Sequence, residues 1–176
     1  MATTASSVLV GVTGSVYMAP TGTALPTTTG ASLNAAFVEV GYISEAGVIT
    51  STSTSTNDIK AWQNGDVVRR VQTQHDYTVK FTMLESNPNS LELYYNDYTS
   101  GDVQVTGTQG FRGCFVINVV DGTDLVRIVL PDAQVTERGD VAYVNGDAAS
   151  YEVTLTSYPD GSSVKAYLYF TTDGAS

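Results

Sequence analysis

The strongest constraint in this sequence is an apolar rhythm of period two, broken at intervals by turn-forming pairs. Val79, Phe81 and Met83 alternate with Thr78, Lys80 and Thr82. Phe115, Ile117 and Val119 form one apolar row, and Val126, Ile128 and Leu130 another. Tyr151, Val153 and Leu155 alternate with Glu152, Thr154 and Thr156. Side chains at every second position share one face of a strand, so each row can be buried while its neighbours stay wet. Asn64-Gly65, Asp121-Gly122, Asn145-Gly146-Asp147 and Pro159-Asp160-Gly161 supply the turns. Roughly eight strands with turns between them predict a mainly β chain, a β-sandwich or barrel. No fixed-period repeat is present, which argues against a solenoid or propeller.

The remaining strands are read from the same signals. Gly14 to Ala19 is a strand stopped at Pro20, and Phe37 to Ile49 a second one bent at Gly41 or Gly47. Pro131 is expected to end the strand from Thr123 to Leu130, because proline removes a ladder donor. Residues 134–144 hold a further strand, then 148–158 and 164–170. One short helix is predicted over 87–97: Asn87 caps it, Pro88 fits its first position, and Leu91, Tyr94 and Tyr95 fall at helical spacing. The tract Thr50-Ser51-Thr52-Ser53-Thr54-Ser55-Thr56-Asn57 has no apolar face and is read as a loop or arm.

With 176 residues the chain makes one domain. Only 15% of residues are charged, and 24 Thr and 16 Ser fill the gap. Eighteen acids against eight bases give a net charge of -10, which excludes a binder that draws its affinity from Lys and Arg on phosphates. A single cysteine excludes a disulfide scaffold. The first charge is Glu39, so no basic leader region is seen, and no apolar run reaches the ~20 residues of a membrane helix. Synthesis in the cytosol without membrane binding is the expectation.

Chemistry is sparse. His75 and Asp76 are neighbours in a strand and point to opposite faces, so they make no base and orienter couple, and no Gly-x-Ser-x-Gly elbow accompanies them. Cys114, among Phe115, Val116 and Ile117, reads as a buried structural thiol. One His and one Cys cannot make a zinc set. The acids of Asp121-Gly122-Thr123-Asp124 and Asn145-Gly146-Asp147 lack the distal Glu of a calcium loop and read more simply as turns. Gly11-Val12-Thr13-Gly14 lacks a phosphate-binding lysine. No catalytic residue, metal or cofactor is therefore expected. The tyrosines Tyr94, Tyr95, Tyr98, Tyr167 and Tyr169 could stack on sugars, which keeps a sugar-binding or adhesion sandwich as an alternative; sheet and interface packing is the simpler use.

Two segments have no core to bury in a monomer: the uncharged start, and the polar stretch from Thr50 to about Gln74. Connections beyond ~15 residues are usually functional or disordered. Both suit contacts with neighbouring subunits.

Val38-Glu39-Val40-Gly41-Tyr42-Ile43-Ser44-Glu45-Ala46-Gly47-Val48-Ile49 resembles the strand entering the arm of major tail (tail tube) proteins of long-tailed, siphovirus-type bacteriophages. Asp58-Ile59-Lys60-Ala61-Trp62-Gln63-Asn64-Gly65-Asp66-Val67-Val68-Arg69 is similar to the arm itself, and Phe81 to Asn87 followed by Leu91 to Tyr95 to the strand-to-helix junction. The resemblance is best over residues 37–95. It implies a sandwich with one flanking helix, an N-terminal arm over 1–13 and an inter-ring arm or hairpin over 50–74. Six copies would form a ring, and rings would stack into a tail tube in the virion. A tape measure protein would occupy the lumen first, terminator and tip proteins would close the ends, and viral DNA would later pass without specific binding. A tube protein of a contractile injection machine is a related possibility. Ser51, Thr52, Ser53, Thr54, Ser55, Thr56, Asn57, Lys60, Trp62, Arg69 and Arg70 are the expected contact residues between subunits and rings. Glu39, Asp76 and Glu85 are the acids expected to face the lumen, where negative charge would keep DNA off the wall.

Overall fold

The alternating faces read from the sequence meet in one core. The computed structural model describes residues 8–171. In chain order these form β1 (Thr13–Pro20), β2 (Val38–Glu39), β3 (Ile43–Lys60), β4 (Val67–Met83), α1 (Pro88–Tyr95), β5 (Arg112–Asp121), β6 (Asp124–Arg138), β7 (Tyr151–Ser157) and β8 (Tyr167–Thr171). The strands pair antiparallel in the order β2-β1-β5-β6-β7-β4-β3, with β8 added on β6. Val16 and Met18 of β1 share one buried cluster with Val79 and Phe81 of β4, although three strands lie between them in the sheet order. The sheet is thus folded over on itself, and Leu93 and Tyr94 of α1 close one side.

Strand β6 runs straight past Pro131, contrary to the sequence expectation. The pairing of β5 and β6 slips there, between Gly113 and Phe115, and a bulge tolerates proline because no ladder donor is needed. The Cys114 thiol sits in the slip and donates to the Pro131 carbonyl at 3.0 Å; burial pushes its pKa up. The same point divides the partners of β6: Leu125–Val129 pair with β8 and Ala133–Arg138 with β7. The strand expected over 134–144 is the end of β6, and residues 139–144 form no strand.

The outer face of β1, β5 and β6 carries a second cluster of Ala19, Phe37, Cys114, Val116 and Val129. Leu25 and Leu33 cover it, which gives much of the uncharged N-terminal region an intramolecular role. Buried Arg127 pins that covering segment by donating to the carbonyls of Thr28 and Ala31 and to Asn118 Oδ1. Residues 8–12 are irregular and lie beside β5, where Val12 N donates to Val120 O. Residues 1–7 of the expected N-terminal arm lie outside the described residues.

Other local expectations shift in register. Asp121 pairs with Asp124, so the β5–β6 loop is Gly122-Thr123, with positive φ at Gly122 (60°) rather than at Asp121. The strand expected over 37–49 is split: β2 ends at Glu39, Gly41 turns at φ 102°, and β3 begins at Ile43 with a bulge around Gly47. The helix ends at Tyr95, capped by Asn96 in the left-handed region. At its start Ser90 N donates to Asn87 Oδ1 and Asn87 N donates to Ser90 Oγ. Asn87 Nδ2 also donates to Val40 O and Glu85 Oε2, tying the helix to the β2–β3 junction. Asn87→Ala should therefore cost at least the ~1 kcal/mol of a lost cap, read by urea unfolding.

Arg112 grips Asp132 by donating from Nε and Nη2, at 2.8 and 2.5 Å, and the hydrogen bonds hold the Asp132 carboxyl below its ordinary pKa. A depressed folded pKa gives stability that is present above the unfolded value and lost as pH falls through the folded one. Arg112→Gln should thus lower stability at pH 7 and flatten its fall below about pH 4, measured by thermal melts across pH.

Candidate functional site

Residues 50–57 form strand, not loop. Thr is β-branched and accepts extended backbone, and Thr50 to Ser55 pair with Val79 to Gln74 of β4 across a continuous ladder. The mainly β class with one short helix stands, while the long arm is a β-hairpin. Its tip is the four-residue turn Trp62–Gly65, closed by Ala61 N donating to Asp66 O at 2.7 Å; Asn64 and Gly65 both take positive φ, at 62° and 71°. Asn64-Gly65 reverses the chain as expected, but as half of a longer loop.

Beyond the Thr52–Tyr77 pair no residue of the hairpin is fully buried. Ser51, Thr52, Ser53, Thr54, Ser55, Thr56 and Asn57 are all exposed, as are Lys60, Arg69 and Arg70. A two-stranded ribbon is marginal alone, and β3 is the last strand of the sheet, so its outer edge offers unpaired backbone groups. The tip is apolar: Trp62 is 98% exposed, with Ile59, Val67 and Val68 also exposed beside it. Arg70 is engaged within the hairpin by Asp58, through Nε at 2.6 Å and Nη2 at 3.1 Å. Among the described residues Lys60 and Arg69 enter no ion pair.

At the base of the hairpin lies a groove of about 510 Å³ between β1 and the start of β3. Its walls include Gly14, Val16, Ile43 and Val48, and Glu39 and Glu45 line it too. Ser44 Oγ in its wall is buried without a hydrogen-bond partner among the described residues. Sequence reading missed this groove; its signal was the pair Gly41 and Gly47, read only as bends.

Of the three acids selected for the lumen, Glu39 and Glu85 both sit at the β2–β3 junction, and Asp76 lies on β4. Glu39 is exposed beside the groove. Asp76 faces Lys165 Nζ at 3.5 Å and accepts from Gln74. Glu85 accepts from Tyr42 N and Asn87 Nδ2. Four of the five tyrosines singled out are used for packing: Tyr94 meets Tyr95 and Tyr151 edge-on at 4.8 and 5.4 Å, and Tyr167 stacks on Tyr169 against the second cluster. The solvent face of β4, β7 and β6 is a field of hydroxyls, Thr78, Thr82, Thr136, Thr154 and Thr156, with Lys80 and Glu152 paired at 2.9 Å. Among the described residues no three His, Cys, Asp or Glu side chains are grouped to hold a metal.

The chain is similar to one from the PVC sheath-tube complex of an extracellular contractile injection system in its extended state, at 12% identity and TM-score 0.53, covering 97% of this chain and 100% of that one. It is also similar to a chain of the anti-feeding prophage baseplate (14% identity, TM-score 0.47, 99% and 100% covered) and to one from the tail of an empty gene transfer agent particle (14%, 0.41, 89% and 94%). No curated protein sequence matches. The model of the phage tail tube protein family matches residues 1–175, and the chain belongs to that family. It is a structural component of a phage tail.

Proposed function

We propose that six subunits close into a ring, that rings stack into the tail tube, and that the β3–β4 hairpin reaches from each ring to the next. The observation that carries this is the hairpin itself: an 18-residue and a 17-residue strand whose outer halves bury no side chain of their own subunit. The hydroxyl face of β4, β7 and β6 lines the bore. Six subunits at -10 each give roughly sixty excess negative charges per ring, which keeps a duplex off the wall over the ~8 Å screening length. The tape measure protein fills the bore during assembly, and terminator and tip proteins close its ends.

Lys at Thr154 and Thr156, both on the solvent face of β7, tests the bore. Tails carrying both substitutions should assemble normally but eject DNA several-fold more slowly, and added salt should relieve the delay because phosphate contacts weaken with salt. Unchanged ejection kinetics would remove this face from the bore.

A further inference from the structure

We infer that the groove between β1 and β3 is the receptor for the hairpin tip of a second copy in the adjacent ring, with Trp62 as the anchor. This rests on the proposed reading that the hairpin bridges rings, and it names the surface that receives it. The tip and the groove are complementary in two respects. Trp62, fully in water, is the kind of large rigid side chain that dominates interfaces once buried, and the groove's volume of about 510 Å³ has room for an indole with its neighbours. The tip brings Lys60 and Arg69, and the groove brings Glu39 and Glu45; none of these four enters an ion pair among the described residues. Glu39 thereby serves the ring contact rather than the bore.

The geometry also dictates an open stack. A patch on one end of a molecule that fits a pocket elsewhere on the same molecule makes a heterologous contact, which propagates as a filament instead of closing. The roughly fourteen residues from Val48 to Trp62, at about 3.3 Å each, place the tip no more than about 45 Å from the groove. The tip of one copy coincides with the groove of the next. The axial rise between rings is therefore the axial part of that vector, and about 45 Å is its ceiling.

Two experiments on the full chain decide it. With the photocrosslinker benzoylphenylalanine in place of Trp62, irradiated tubes should yield crosslinks from position 62 to residues 11–16 or 39–48 of another copy, mapped by mass spectrometry. Crosslinks to another copy at a different surface would overturn the groove assignment and leave the bridging hairpin intact. Tubes that crosslink only within one copy would overturn both. The second experiment is a charge exchange that does not alter Trp62. Lys60→Glu with Arg69→Glu should reduce sedimentable tube at least tenfold, and adding Glu39→Lys with Glu45→Lys should restore it to within about threefold. Failure of either the loss or the rescue would overturn the assignment.

Discussion

Excision of residues 54–75, with the ends joined through Asn-Gly, is expected to abolish tube formation and leave a folded subunit. Ser53 pairs with Asp76, so the cut preserves the register of the shortened hairpin, and a two-residue Asn-Gly loop suits the new ends. The removed residues contribute nothing to either buried cluster. Surface changes of this kind usually move stability little, so the melting temperature should stay within about 5 °C of the parent. Sedimentation and negative-stain microscopy read the other half of the result. Normal tubes from the shortened chain would show that rings are joined elsewhere.

Phe115→Ala is expected to do the reverse. Phe115 is fully buried where β5 crosses the core and packs edge-on against Phe111 at 6.0 Å. Removing a buried phenylalanine ring typically costs 3–5 kcal/mol, from lost transfer energy plus the cavity left behind. Against the 5–15 kcal/mol of a typical domain that is a large share, and soluble protein and tubes should fall together. Urea unfolding of the purified variant measures the loss directly; a change under about 1 kcal/mol would mean that the two limbs of the sheet do not share this core. The two variants thus separate assembly from folding: one loses tubes with the subunit intact, the other loses the subunit.

The strands of the core were legible because burial imposes a period of two. Val79, Phe81 and Met83, and Tyr151, Val153 and Leu155, are buried as their alternation indicates. The helix was legible from Asn87 and Pro88, which act locally. The Ser/Thr tract was not, because a strand exposed on both faces carries no alternation; only its long-range pairing with β4 shows what it is. Pro131 misled for a related reason: its effect depends on a slip in the facing strand, which no local signal reports. Within the candidate site, the exposed tip at Trp62 and its bases could be picked out in sequence. The groove could not, since it arises where β1 and β3, far apart in the sheet order, come together as the sheet folds over. The ion-pair partner of Arg70 was also hidden, because Asp58 lies across the ladder from it and twelve positions away in sequence.

Helical reconstruction from cryo-electron micrographs of the assembled protein tests the central claim most directly. The expected image is a hollow tube of sixfold rings, spaced by no more than about 45 Å, with each β3–β4 hairpin crossing to the adjacent ring. Solitary particles with the hairpin laid against their own body, or stacked rings that touch without it, would contradict the account.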